Sequence, residues 1–160
     1  MAQKKPADVI SLEAVYGAPS QAGYGSAIFY VPLLASNSLA QRALAQYKYF
    51  VGDLWDKYGE AAWLGPWKEV YARPPDAKAD IVAELRAISD ADAAVSVPMI
   101  LDNIEQADKG RAALANGFDD PAVTEVRVFN LGDGGAMSGI LVAGRRQASA
   151  EALFLIFLLD

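Results

Sequence analysis

The sequence predicts an α+β fold, with a mainly antiparallel five-stranded sheet and three or four helices packed over one of its faces. Two extended apolar stretches open the chain, a helical region of about 80 residues follows, and three strand-like stretches close it. Short turns connect the last three strands, which favours antiparallel pairing. The length of 160 residues fits one domain, so we expect a flexible arm at 1–7 and a single globular domain at 8–160.

The two N-terminal strands are predicted from β-branched residues and from the turn between them. Residues 9–16 (VISLEAVY) alternate in part between apolar and polar positions, and residues 26–34 (SAIFYVPLL) form the second apolar stretch. The glycine-rich segment 17–25 indicates a turn. Pro32 has no backbone N–H to donate, so we place the second strand at an edge of the sheet or end it there.

Helical periodicity dominates the middle of the chain. Apolar residues there recur at i, i+3, i+4 and i+7, the spacing of a helix that buries one face. The clearest helix starts after a cap at Asn37 or Ser38 and stops at Gly59, because Ser and Asn cap helix starts and Gly suits helix ends. The other predicted helical stretches are residues 60–71 with an interruption at Gly65-Pro66, residues 77–89, and residues 96–117 with a break at Gly110.

Three strands are predicted near the C-terminus, at residues 125–131, 136–143 and 152–159. The Gly-Asp-Gly-Gly stretch at 132–135 supplies the positive φ angles of a hairpin turn, and its spacing does not match a dinucleotide-binding loop. Residues 152–159 (ALFLIFLL) are apolar on both faces, so we expect a central strand that is covered on each side. Gly139 and Gly144 indicate a bulge or a close backbone approach within the fourth strand.

The chain contains no histidine and no cysteine. It therefore lacks the residues needed for a Ser-His-Asp triad, an imidazole general base, a thiolate nucleophile or a disulfide. Its acidic pairs do not have the spacing of a calcium loop, and no G-K-[ST] phosphate-binding motif occurs. We therefore expect no metal site and no cofactor, and we assign no catalytic residue.

Acidic residues outnumber basic ones, and the formal net charge is −6. Nucleic acid and anionic membranes repel such a chain unless its basic residues cluster, so we expect neither as a partner. The longest apolar run, at 152–159, is too short to span a bilayer, and no secretory signal is recognised, so we expect a cytoplasmic location. The charge suits a basic protein partner, and self-association or a small apolar ligand is also compatible with it.

Aromatic residues crowd into the segment 47–71, which holds eight of the sixteen in the chain and all three tryptophans. Tyr and Trp combine a large apolar body with a polar group, which suits ligand pockets and partner surfaces. The same spacing is typical of core residues that cover a sheet, and this alternative stays open. The candidate binding residues are Tyr49, Trp55, Tyr58, Trp63, Trp67 and Tyr71, together with the Arg145 and Arg146 pair at the end of the fourth strand.

These observations predict a non-catalytic binding or assembly module that engages a protein partner as an inhibitor, an adaptor or an oligomer subunit. One alternative is a small-ligand-binding or sensor domain, with an aromatic pocket between the sheet and residues 55–67. The least favoured alternative is a histidine-free isomerase or hydrolase that uses tyrosine and carboxylate groups such as Tyr58 and Asp53.

Overall fold

A computed structural model describes residues 5–21, 23–133 and 136–159. Its strands form a five-stranded antiparallel sheet in the order β1-β5-β4-β3-β2, with helices packed against it, which confirms the predicted α+β class. The strands are β1 (Gly25–Pro32), β2 (Lys68–Ala72), β3 (Glu125–Asn130), β4 (Ser138–Arg146) and β5 (Glu151–Leu159). The helices are α1 (Ala7–Tyr16), α2 (Leu39–Val51), α3 (Leu54–Tyr58), α4 (Glu60–Leu64), α5 (Ile81–Arg86), α6 (Ala91–Leu101) and α7 (Ala107–Phe118).

The helices cover both faces of the sheet, whereas the sequence predicted that they cover one. Alternate residues of β5 face opposite ways: Leu153 and Leu155 pack with α1, α5, α6 and α7, while Phe154 and Ile156 pack with α2, α3 and α4. A strand that is buried on both faces reads as a continuous apolar run, which explains the composition of residues 152–159. The sheet therefore separates two apolar cores.

The first predicted strand, at 9–16, is wrong, because these residues form helix α1. Val9, Leu12 and Tyr16 are its buried residues, and their spacing of three and four is that of a helix face. β-branched residues at both ends of this segment favour strands, which explains the wrong prediction. Helix α1 begins at Ala7, and Lys5 Nζ lies 2.6 Å from Glu13 Oε2, while residues 1–4 of the predicted arm lie outside the described residues.

Strand β2 lies in a segment that the sequence predicted to be helical, and it replaces the strand that was predicted at 9–16. Helix α4 stops at Leu64, just before Gly65-Pro66, and the chain then becomes extended. Strand β2 pairs only with β3 and has an irregular register between Glu69 and Tyr71. It therefore forms one edge of the sheet, and β1 forms the other, as Pro32 at its end predicted.

Several helix boundaries also differ from the prediction. Helix α5 is shorter than residues 77–89, and α6 begins at Ala91, where the Asp90 carboxylate accepts a hydrogen bond of 2.9 Å from the Ala93 N–H. Gly110 does not break α7. It lies beneath Tyr16 and Ile104, where an added Cβ would approach both side chains to 2.7 Å, so glycine allows α1 and α7 to meet.

The predicted C-terminal meander is present, with β3 paired to β4 and β4 paired to β5. The register of β4 contains no bulge, and a Cβ on Gly139 would lie 2.8 Å from the Leu158 side chain and from the Phe157 carbonyl oxygen. Gly139 therefore marks a close approach. Residues 134–135, part of the predicted hairpin turn, lie outside the described residues. In the part of the chain that the structure describes, no helix is both long and apolar enough to cross a membrane.

Candidate functional site

The aromatic segment folds into a cluster centred on Tyr47, a fully buried residue of α2. The ring of Trp55 meets the Tyr47 ring edge-on, with centroids 5.4 Å apart, and the ring of Trp67 stacks on it at 5.5 Å. Trp67 also stacks on Phe129 of β3, with centroids 4.6 Å apart and planes 11° from parallel. Each such pair contributes about 0.5–1.5 kcal/mol beyond its buried area, so the stack fastens α2 to the sheet.

A sharp turn at Gly59 brings Trp63 back onto Trp55. Gly59 has φ +87°, a left-handed value that favours glycine, and it separates α3 from α4. The two indole rings then stack with centroids 6.2 Å apart. Trp63 Nε1 donates a hydrogen bond of 3.2 Å to the Leu54 carbonyl, which satisfies the polar atom of this buried ring.

The predicted aromatic residues divide into buried and exposed members. Trp55 and Trp63 are each 3% exposed and belong to the core, as the alternative interpretation of the sequence allowed. Tyr49 and Tyr58 are 50% and 57% exposed. Tyr49 packs edge-on against Phe29, away from the tryptophans, whereas Tyr58 packs against Trp63 with centroids 6.2 Å apart.

A surface concavity of about 280 Å³ opens beside Tyr58 and Trp63. We call this concavity the aromatic groove; it is lined by Tyr24, Tyr58, Ala62, Trp63, Asp133, Ala136 and Met137. A separate neighbouring concavity of about 370 Å³ shares Ala62 and Asp133 with it, so the two lie side by side. Sequence reasoning missed Tyr24, Asp133 and Met137, because they lie in the turn before β1 and in the β3–β4 turn, where no periodicity indicates which side chains face a groove.

The second concavity carries an excess of negative charge. Lys68 Nζ lies 2.7 Å from Asp90 Oδ2 and 3.8 Å from Asp92 Oδ2. The hydrogen bond to Asp90 raises the pKa of Lys68, and the same contact lowers the pKa of Asp90. Asp92, Asp133 and Lys68 line this concavity, so its described lining carries two carboxylates and one ammonium group, and Asp90 binds that ammonium group from beside it.

Asn130, at the end of β3, forms hydrogen bonds to the segments that border the second concavity and the β3–β4 turn. Its Nδ2 donates to the Pro66 carbonyl at 2.9 Å and to the Gly132 carbonyl at 2.7 Å. Asn130 is fully buried, which strengthens these hydrogen bonds and makes their loss costly. Asp133 follows Gly132 directly, and its Oδ1 accepts a hydrogen bond of 3.1 Å from the Met137 N–H.

Tyr71 lies apart from the aromatic cluster and belongs to a charged network over the other face of the sheet. Its hydroxyl donates to Glu84 Oε2, and burial, then this hydrogen bond, raise its pKa to about 12. Burial acts to raise the pKa of Glu84, but hydrogen bonds from Arg73 and Tyr71 outweigh it, so this pKa lies below its usual range. Burial prevails at Asp119, whose pKa is raised although Arg73 Nη2 lies 2.7 Å away.

Arg145 and Arg146 are buried, and their guanidinium groups bind partners inside the fold. Arg145 Nε donates to Glu125 Oε1 at 3.0 Å. Arg146 Nη2 donates to Asp8 Oδ2 at 2.5 Å, and its Cζ lies 5.6 Å from the centroid of the Tyr30 ring. Neither arginine lines the aromatic groove, so the structure does not bring this pair together with the tryptophans.

The described residues contain no group of three or more Asp or Glu side chains placed to hold a metal ion. Asp53 and Tyr58, the acid–base pair of the enzyme hypothesis, are both exposed. Comparisons of the chain with protein-family models, with curated proteins and with solved structures found no match.

Proposed function

We propose that this protein is a non-catalytic binding module that captures a protein partner at the aromatic groove. The observation that carries the proposal is the contact between Tyr58 and Trp63. A half-exposed tyrosine stands on a buried tryptophan beside an open concavity, so an inserted side chain would meet aromatic surface that the core already holds rigid. Rigid aromatic pockets that exclude water are typical of the residues that dominate binding energy at protein interfaces.

The size of the groove favours one inserted side chain over a whole small molecule. Pockets for small ligands have volumes of roughly 300–1,000 Å³ and bury most of the ligand. The aromatic groove, at about 280 Å³, is at the lower end of that range and is open to solvent. The small-ligand alternative of the sequence analysis therefore takes second place, because this concavity is large enough for the end of a side chain.

The edges of the sheet are poorly suited to pairing with another chain, which favours the groove as the binding surface. An exposed, regular edge strand invites pairing with another chain, and lysine residues and bulges discourage it. Strand β2 carries Lys68 and an irregular register, and the Ile28 N–H of β1 already donates to the Gly17 carbonyl at 2.9 Å. A partner is therefore expected to bind through side chains.

The proposal is tested by comparing three immobilised baits in lysate of the native host: the wild-type protein, Tyr58→Ala and Tyr49→Ala. Both variants remove a half-exposed tyrosine from the same face of the sheet, but only Tyr58 lines the groove. We expect one protein to be retained by the wild type and by Tyr49→Ala and to be lost from Tyr58→Ala. The same set of proteins on all three baits would contradict the proposal.

A further inference from the structure

We infer that this protein forms a symmetric dimer in which the outward face of helix α6 packs antiparallel against the same face of a second copy. The outward face consists of Ala91, Ala94, Val95, Pro98 and Met99. This surface is separate from the proposed function, since none of these residues lines the aromatic groove. The dimer follows from the composition of the helix, the spacing of its outward residues and the charges at its two ends.

Helix α6 lacks charged residues on both of its sides. Its buried stripe consists of Ala93, Ser96, Val97, Ile100 and Leu101. The outward side is also uncharged from Asp92 to Asp102, and Val95 at its centre is 49% exposed. Helix α7, of similar length, has the usual pattern, with Asp108 and Lys109 on its exposed side. A helix that is apolar all round is typical of a buried helix, so the outward face of α6 has the composition of a covered surface.

The outward residues have the spacing that helix–helix packing requires. Ala91, Val95 and Met99 form one row spaced by four residues, and Ala94 and Pro98 form a second row beside it. Rows with this spacing interdigitate with the same rows of another helix, at interaxial distances of about 8–10 Å. The two alanines allow a close approach. In a two-fold dimer the same patch lies on both copies, so identical rows meet.

The start of α6 has two carboxylates beside one cation. Lys68 Nζ lies 2.7 Å from Asp90 Oδ2 but 3.8 Å from Asp92 Oδ2, so Asp90 is its closer partner. The side chain of Asp92 is more than a third exposed. The Asp92 carboxylate can therefore bind a further cation that a second copy brings.

The end of α6 presents such a cation. Arg86 Nη2 lies 2.8 Å from Asp102 Oδ1, and Arg111 Nη1 lies 3.1 Å from the same oxygen. Arg111 also pairs with Asp108, whereas in the described part of the chain Arg86 forms an ion pair with Asp102 alone. The side chain of Arg86 is 46% exposed, so this guanidinium group can bind a second carboxylate.

An antiparallel arrangement brings these two ends together. When the two-fold axis passes midway between Val95 and Pro98, the first residue of α6 faces Asp102 of the other copy, because both lie equally far from that point. Asp92 of one copy then lies beside Arg86 of the other, which is held there by its bonds to Asp102. The symmetry makes this contact twice. The charges of the two ends therefore favour a second copy of this chain as the occupant of the face.

Analytical ultracentrifugation at protein concentrations from about 1 µM to 1 mM tests the dimer. We expect the wild type to dimerise reversibly with a Kd of about 1–100 µM, because a single helix face makes a small interface. Val95→Asp buries an unpaired carboxylate twice in each dimer and should weaken the dimer at least about 30-fold. Ile10→Asp makes a similar change at a similarly exposed position of α1 and should dimerise as the wild type does.

Two charge reversals test the antiparallel arrangement. Arg86→Glu and Asp92→Lys should each weaken the dimer by about three- to tenfold, since like charges then meet at both contacts. In a mixed dimer of the two variants, the new glutamate of one chain faces the new lysine of the other, and the native Arg86 faces the native Asp92. An equal mixture should therefore recover most of the dimer that each variant alone loses.

A wild-type protein that stays monomeric over the whole concentration range would overturn the dimer. Equal effects of Val95→Asp and Ile10→Asp would overturn the assignment of the contact to α6. A mixture of the two charge variants that recovers no dimer would overturn the antiparallel arrangement. None of these results affects the comparison of the three baits, which alone decides whether a protein partner uses the aromatic groove.

Discussion

The ring of Tyr58, more than half exposed, rests on the ring of Trp63, which is almost fully buried, with a distance of 6.2 Å between centroids. This pair joins the core of the protein to its surface. Trp63 is held by its stack on Trp55 and by its hydrogen bond to Leu54. The outer side of the Tyr58 ring is exposed to solvent. A ligand in the groove would therefore contact a surface that is rigid on one side and accessible on the other.

The two residues should differ sharply in their contribution to stability. Trp63→Ala leaves a cavity in the aromatic stack and should lower the free energy of unfolding by about 3–5 kcal/mol. Tyr58→Ala removes an exposed ring and should cost less than about 1 kcal/mol. Urea unfolding measures both changes. A loss of several kcal/mol in Tyr58→Ala would show that this residue belongs to the core, and loss of binding in this variant could then result from unfolding.

Asn130→Asp should destabilise the protein, because it replaces a buried donor with a carboxylate that faces two carbonyl oxygens. The cost should be at least about 2 kcal/mol, the penalty of buried unsatisfied groups with a charge added. Asn37→Asp, at an exposed position before α2, is the matched control and should change stability by less than about 0.5 kcal/mol. Equal effects of the two substitutions would contradict the role of Asn130 in holding the Pro66 and Gly132 segments together.

Glu84 should make stability depend on pH in the acidic range. Its pKa is lower in the fold than in the unfolded chain, so the unfolded chain takes up the proton first as the pH falls. Glu84 therefore contributes fully to the free energy of unfolding above its pKa in the unfolded chain, about 4.3. This contribution is lost as the pH drops through its lower pKa in the fold. Asp119 acts in the opposite direction, because its pKa is raised in the fold.

Glu84→Gln tests this assignment through urea unfolding at a series of pH values. The variant should lose about 1.5–3 kcal/mol near neutral pH, the range for hydrogen bonds to charged groups. Its stability should also fall less steeply than that of the wild type below pH of about 4. Glu60→Gln, at an exposed position of α4, is the control. A wild-type slope retained in Glu84→Gln would assign the acid sensitivity to other carboxylates.

Buried tyrosines should make the protein sensitive to alkali. Burial raises the pKa of Tyr16 and Tyr47 in the fold, and burial together with Glu84 raises that of Tyr71 to about 12. Tyrosines of the unfolded chain ionise near pH 10, so these groups stabilise the fold fully below that pH, and their contribution is lost as the pH rises towards 12 and above.

Tyrosinate absorbance and far-UV circular dichroism, followed together through an alkaline titration, measure this effect. We expect part of the tyrosinate signal to appear only when the helical signal is lost. Tyr71→Phe should reduce the dependence of stability on pH between about 10 and 12. Complete ionisation of all tyrosines in a protein that keeps its helical signal would contradict the burial of Tyr16 and Tyr47.

The sequence predicted those elements whose local pattern agrees with their tertiary environment. The apolar run at 152–159 could only be a strand covered on both faces, and β5 is that strand. The strand prediction for residues 9–16 was wrong because it relied on Val9 and Val15, which favour strands. In the fold, Val9, Leu12 and Tyr16 are buried and the segment packs against α7, and this packing requires a helix. Tertiary packing determined this segment, and local propensity did not reveal it.

The candidate site could be predicted in part for the same reason. The crowding of aromatic residues located the cluster, and the two exposed tyrosines, Tyr49 and Tyr58, were both among the predicted residues. Periodicity could not show that Trp63 is buried and still borders a groove, because that depends on the turn at Gly59. Nor could it bring Asp133 to the groove, since Asp133 is 70 residues further along the chain, counted from residue 63 to residue 133.

The central claim is that the groove beside Tyr58 binds a partner, and calorimetry tests it most directly. The partner retained by the wild-type bait is purified and titrated into the wild-type protein, Tyr58→Ala and Tyr49→Ala. The account predicts that Tyr58→Ala weakens binding at least about 30-fold, as expected for a residue worth 2 kcal/mol or more at an interface. Tyr49→Ala should bind as the wild type does. Equal affinities of Tyr58→Ala and the wild type would contradict the account.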